Sequence, residues 1–174
     1  MKISVEIKKT KDLLKEEINS LIELKQQHWP YDAGRQISWL HTNIREDDYH
    51  VLIFRGGGLL AYLNIVNVDV EIDKMHHGMF GIGNVCVNKN HGQRGWGNIL
   101  MAVTNAFIKE RNTCAVLLCR EKLVDFYKMS SWSELQAEKI LVCGQEYHDR
   151  VMMYGSLKSI RPVQIRLISL NRNF

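Results

Sequence analysis

Apolar and polar residues alternate at the start of the chain. Ile3, Val5 and Ile7 are separated by Ser4, Glu6 and Lys8, the period-two pattern of a strand with one buried face. The period then changes: Thr10 is placed to cap a helix, and Leu14, Ile18, Leu21 and Leu24 share one helical face until Pro30 stops the run. A shorter helix is expected over residues 35–45, presenting Ile37, Leu40 and Ile44. Residues 49–54 and 59–68 are dense in apolar and β-favouring side chains, and Arg55-Gly56-Gly57-Gly58 between them predicts a hairpin turn. The polar stretch 69–77 predicts another turn. Residues 79–87 predict another strand, interrupted by Gly81 and Gly83 in the manner of a bulge or a close backbone approach.

Further on, a glycine-rich segment (residues 92–98) opens an amphipathic helix with Leu100, Val103 and Phe107 on one face. The apolar run 114–119 predicts a strand covered on both sides. Residues 123–129 fit one or two helical turns, and 135–142 and 151–157 predict two strands about the polar turn 144–150. The tail after Arg161 interleaves Ile165, Leu167, Ile168 and Leu170 with polar residues, which suits an edge strand or a contact with a second copy in a homodimer. Antiparallel strands first and a strand–helix–strand unit later predict an α/β (α+β) fold: a mixed, mostly antiparallel central sheet with helices on both faces. No linker or repeat divides the 174 residues, so a single domain is expected.

Composition narrows the picture. Apolar residues make up 45% and charged residues 24%, which excludes disordered and collagen-like classes. No run approaches the ~20 apolar residues of a membrane helix, and the first residues lack the apolar block of a secretory signal. The four cysteines (Cys86, Cys114, Cys119, Cys143) have no CxxC spacing and are expected as reduced core thiols of a cytoplasmic protein. A net charge of +4 is spread along the chain, so neither nucleic acid nor a membrane is expected as a partner. His76, His77 and His91 lack metal-ligand spacing, and no metal is expected.

The chemistry concentrates after residue 84. Val85, Cys86 and Val87 lead through Asn88, Lys89, Asn90 and His91 into Gly92, Gln93, Arg94, Gly95, Trp96, Gly97 and Asn98, and so directly into a helix. A strand feeding a glycine-containing loop at a helix start suits an anion. First-turn amides have no intrahelical acceptor, and the helix dipole adds about half a positive charge there. A tight structural turn has the same pattern. No Gly-Lys-Ser/Thr follows, which excludes a Walker loop, and the Gly-x-Gly-x-x-Gly spacing is broken at Leu100.

Downstream, past the apolar strand, stands Phe126-Tyr127-Lys128-Met129-Ser130-Ser131-Trp132. The combination resembles the GNAT superfamily of acyl-coenzyme A-dependent N-acyltransferases. The resemblance implies a GNAT-like fold, acetyl-CoA as cosubstrate and a small-molecule amine as acceptor. It further implies pyrophosphate binding by residues 92–98, with Gly95 and Gly97 at the motif's glycine places and Gly92 where Gln or Arg is usual. Pairing of Val85, Cys86 and Val87 with the pantetheine arm, and protonation of the leaving thiolate by Tyr127, also follow from it. Within the superfamily, residues 41–61 look most like the aminoglycoside 2′-N-acetyltransferases, although an acid those enzymes carry before the pantetheine strand aligns with Gly83.

An amine attacking a thioester must lose a proton. Candidate bases are Glu71, Asp73, His76, His77, Glu146, His148 and Asp149, and a terminal carboxylate at Phe174 if the tail folds back. Cys86, an alternative nucleophile, lacks a neighbouring His and reads better as a packed thiol. Three functions stay open: acetyl transfer to an amine, transfer of another acyl group or to another acceptor, and a catalytically silent coenzyme A-binding or interaction module.

Overall fold

The computed structural model describes residues 2–91, 94–157 and 165–174. It is mixed α/β, and its residues cluster into two compact units: Met1–Val66, Gly83–Thr104 and Phe174 in one, Asn67–Ile82 and Asn105–Asn173 in the other. Three elements contribute residues to both: strands β3 (Gly58–Ile72) and β4 (Met75–Val87), and helix α3 (Trp96–Glu110).

In the first unit, β1 (Ile3–Lys9) pairs antiparallel with β2 (Tyr49–Arg55), and β2 pairs antiparallel with the start of β3. Gly56 and Gly57 make the β2–β3 turn at φ +59° and +87°, conformations that glycine adopts without strain. Helix α1 (Lys15–Gln26) buries Leu21 and Leu24, at 0% and 2% exposure, beside Leu40 of α2 (Ala33–Asn43), Leu52, Tyr62 and Cys86. Each such burial is worth about 1.5–3 kcal/mol.

Thr10 does not cap α1: its hydroxyl bonds the Asp48 carbonyl (3.2 Å) and His50 Nε2 (2.9 Å), while Glu17 reaches back to the Leu14 amide at 2.8 Å. Helix α2 starts two residues early because Asp32 accepts from the Arg35 amide at 2.9 Å. The apolar face of β1 is the more open one, with Ile3, Val5 and Ile7 at 49%, 44% and 37% exposure. Alternation determines which residues share a face; it does not determine which face is covered.

In the second unit the strand order is β6 (Ser133–Leu135), β9 (Arg150–Tyr154), β5 (Ala115–Cys119), β4, β3, β10 (Ile165–Leu170), β7 (Ala137–Val142) and β8 (Gln145–Glu146). The β4–β5 and β10–β7 pairs are parallel, and β5–β9, β6–β9, β3–β10 and β7–β8 are antiparallel. The predicted polar turn 69–77 shrinks to Asp73 and Lys74, both at positive φ. Val70 and Ile72, buried at 0% and 2%, alternate with Asp69 and Glu71, so β3 runs on through them. The single strand expected over 135–142 is two, divided at Gln136, because β6 pairs with β9 and β7 with β10. The tail strand β10 lies inside the sheet between β3 and β7, not at an edge. All four cysteines are free, but only Cys86 and Cys119 are buried; Cys143 is exposed. Among the described residues, no helix is long and apolar enough to cross a membrane.

Candidate active site

The parallel β4–β5 register runs from Phe80–Ala115 to Ile82–Leu117, and β4 continues past it as residues 83–87. Cys86 turns into the apolar core of the first unit at 3% exposure, while Val85 and Val87, on the opposite strand face, are half-buried. The Val87 carbonyl accepts from His28 Nε2 at 2.7 Å, and the Asn88 amide donates to the Leu60 carbonyl at 2.8 Å. Burial pushes the Cys86 thiol up to about 12, partly offset by the charge of Lys25. A thiol that stays protonated is a poor nucleophile.

Beyond Val87 the chain tightens into a single 3₁₀ turn (Lys89–His91), held by the Lys89 amide on Gln27 Oε1 at 2.9 Å and the Asn90 amide on Asn88 Oδ1 at 3.0 Å. Gly92 and Gln93 lie outside the described residues. Arg94 and Asn98 are exposed, and Gly97 is half-buried in the first turn of α3. Gly95 has φ +77°, and a β-carbon there would meet nothing within 4 Å. Among the described residues the first bond of α3 is Ile99 N–H to the Gly95 carbonyl at 3.1 Å, and the amides of Trp96, Gly97 and Asn98 find no intrahelical acceptor there. No acidic residue stands in that turn to neutralise the dipole. Two further polar atoms of this segment, His91 Nδ1 and Trp96 Nε1, are buried and have no hydrogen-bond partner among the described residues. An indole N–H only donates, so an anion here satisfies a group that is otherwise costly to bury. These residues fit a diphosphate.

Tyr127 lies in the second unit, on the short helix α4 (Val124–Met129), at 5% exposure. Its ring meets Phe126 edge-on at 4.9 Å and the tilted Trp132 ring at 6.4 Å. The Tyr127 carbonyl accepts from the Ser130 and Trp132 amides at 2.9 and 3.2 Å, ending α4. Between them Ser131 adopts φ +65°, the left-handed conformation for which glycine is the usual choice. The sequence left Asn105 unremarked. Its Oδ1 accepts from Trp132 Nε1 at 3.0 Å and its Nδ2 donates to the Ser130 carbonyl at 2.8 Å, fastening the loop after Tyr127 to α3. Burial pushes the Tyr127 hydroxyl well above its ordinary 10, with a smaller contribution from Cys119, so the phenol keeps its proton through neutral pH.

Of the candidate bases, Asp73 is engaged in structure, accepting from the Arg166 and Leu167 amides at 3.0 and 2.9 Å. Exposed His76 pairs with Asp69 at 2.9 Å, which raises its pKa. His77 has a buried Nε2 without a hydrogen-bond partner among the described residues, and Glu146 and Asp149 are exposed. The tail does fold back: the main chain of Phe174 lies against Gly83.

The fold is that of the GNAT N-acyltransferases. An acyl-CoA N-acyltransferase from Pseudomonas aeruginosa superposes with a TM-score of 0.64 at 22% identity, covering 88% of this chain and 100% of that one. Escherichia coli ElaA superposes with a TM-score of 0.65 at 16% identity over the same shares. An aminoglycoside 6′-N-acetyltransferase complexed with coenzyme A gives 0.62 at 11% identity, covering 86% and 96%. No family model and no curated protein matches the sequence.

Proposed function

We propose that this chain is an N-acetyltransferase that moves the acetyl group of acetyl-CoA to a primary amine by direct attack in a ternary complex. The observation that carries this reading is the start of α3: first-turn amides and buried His91 and Trp96 nitrogens that have no partner among the described residues, a left-handed Gly95, and no acid in the turn. The coenzyme A held by the 6′-N-acetyltransferase of the same fold supports it. In this reading Arg94, Gly95, Trp96, Gly97 and Asn98, with Gly92 and Gln93, hold the diphosphate, and Val85, Cys86 and Val87 flank the pantetheine arm.

The amine nitrogen attacks the thioester carbon, and a main-chain amide near Val87 donates to the oxygen as it gains charge. When the carbon–sulfur bond breaks, Tyr127 gives its proton to the departing thiolate. The amine's own proton leaves to solvent or to a base among the acids and histidines named above. For the acceptor we favour an amino sugar or aminoglycoside, on the likeness of residues 41–61 to the 2′-N-acetyltransferases. Free cysteines suit a cytoplasmic setting.

Acetyl-CoA at about 100 times its Kd is expected to stabilise the chain by about 2.7 kcal/mol, read as a rise in Tm. An unchanged Tm at saturating acetyl-CoA ends the reading; a rise without thiol release from any amine leaves a binding module. Gly95→Ala provides a second check. The new methyl group has room, but the left-handed backbone costs about 1–2 kcal/mol, so acetyl-CoA affinity should fall roughly tenfold by calorimetry as the loop relaxes. Native affinity in that variant would detach the loop from the phosphates.

A further inference from the structure

Ile3, Val5 and Ile7 of β1 are 49%, 44% and 37% exposed, yet their face continues inward into residues that are fully covered. Ile7 stands in line with Val51 and Leu63, and Val5 with Ile53 and Ala61, all four of these at 0% exposure. The apolar layer therefore runs out on β1. Among the described residues β1 pairs only with β2, which leaves its other edge open. The Gly56 amide bonds the Lys2 carbonyl at 3.0 Å and the Thr10 amide bonds the Asp48 carbonyl at 2.9 Å, at the two ends of one register. Alternate residues of an antiparallel strand turn their amide and carbonyl to the partner, so the even-numbered residues of β1 bond to β2. Ile3, Val5 and Ile7 turn theirs to the open edge. The residues with exposed apolar side chains are the same ones that offer main-chain groups, a combination that templates another strand.

We propose that this edge pairs antiparallel with β1 of a second copy of the chain, about a two-fold axis at Ile7. Charge separates the three registers centred on the apolar stretch. An axis at Val5 sets Lys2 of one copy opposite Lys8 of the other, and an axis at Glu6 sets the two Glu6 carboxylates opposite each other. An axis at Ile7 sets Glu6 opposite Lys8 twice. Opposite charges facing each other across a strand pair stabilise it and like charges destabilise it, which selects the third register. Glu6 and Lys8 lie 2.7 Å apart within the chain, at 36% and 27% side-chain exposure, and Glu17 holds Lys8 from the helix side at 2.6 Å. Pairing joins two such clusters into one network. On the opposite face the two Ile7 side chains meet, and each Val5 comes under the aliphatic stem of the other copy's Lys9. A single strand edge buries less than the ~800 Å² per partner of a standard interface, so the association is reversible, with a Kd of about 10–100 μM.

Sedimentation equilibrium of the full chain from about 5 to 500 μM should show the average mass rising from that of one copy toward that of two. Glu6→Lys sets like charges opposite each other, leaves Lys8 on Glu17 and should weaken association about tenfold or more. Cysteine variants read the register, in a Cys143→Ser background because Cys143 is exposed. Facing Ile7 positions place their Cα atoms about 5.5 Å apart, within disulfide reach, so oxidised Ile7→Cys should run as a covalent dimer on a non-reducing gel. The two Ile3 positions lie about 25 Å apart along the strands in this register, so Ile3→Cys should stay monomeric. If Glu6→Lys does not fold, the two cysteine variants decide the matter. The mass of one copy across the whole range, native association in folded Glu6→Lys, or Ile3→Cys crosslinking as readily as Ile7→Cys overturns the proposal.

Discussion

Replacing Tyr127 by phenylalanine is expected to lower kcat by about 10²–10⁴-fold while leaving the Kd for acetyl-CoA near its native value. The two effects separate because the phenol has two parts in different surroundings. The ring is packed, edge-on to Phe126 at 4.9 Å and near Trp132 at 6.4 Å, and phenylalanine keeps all of that packing. The hydroxyl, pushed above its ordinary range by burial, remains protonated and is in the right form to give a proton to a thiolate. Removing it takes away the proton donor without opening a cavity. Thermal unfolding of the variant should therefore match the native chain within about 1 kcal/mol. Equal losses of turnover and stability, or of turnover and acetyl-CoA affinity, would return Tyr127 to a packing role.

How much of this was legible in the sequence depends on how local each signal is. The β2–β3 turn, the start of α3 and the apolar strand β5 are written in adjacent residues, and the structure has them where the pattern put them. The extension of β3 was hidden because Asp69 and Glu71 look like turn residues until Val70 and Ile72 are seen to be buried between them. Which partner a strand takes is a long-range matter, so the division of β6 from β7 and the insertion of β10 between β3 and β7 had no local mark. The same holds for side chains. Asn105 meets Trp132 across 27 residues and His28 meets Val87 across 59, separations at which no spacing rule applies. Asn64 looked like one polar residue in an apolar strand. Only in three dimensions does its buried Nδ2 stand without a hydrogen-bond partner among the described residues.

Acidification should destabilise this fold well before its carboxylates protonate, and His50 is the reason. The ring is 1% exposed, with Nδ1 at 2.8 Å from the Tyr62 hydroxyl and Nε2 at 2.9 Å from the Thr10 hydroxyl. Burial depresses its pKa from 6.5 to about 4, with Asp48 pulling it up and Lys25 pushing it down. A histidine whose folded pKa is the lower one binds its proton more readily when unfolded. The contribution is therefore complete above the unfolded value of 6.5 and is lost as pH falls toward 4. Between pH 7 and pH 5 this amounts to roughly 2 kcal/mol, a large part of a typical domain's margin. Exposed His76, whose pKa is raised by Asp69, works in the opposite sense but is screened by solvent. Urea titrations at half-unit steps across this window should show the midpoint falling steadily in the native chain. His50→Gln, which cannot titrate, should start less stable at pH 7 and stay nearly flat to pH 5. A native chain whose midpoint holds constant from pH 7 to 5 would mean that the buried imidazole is charged in the fold or reaches water when protonated.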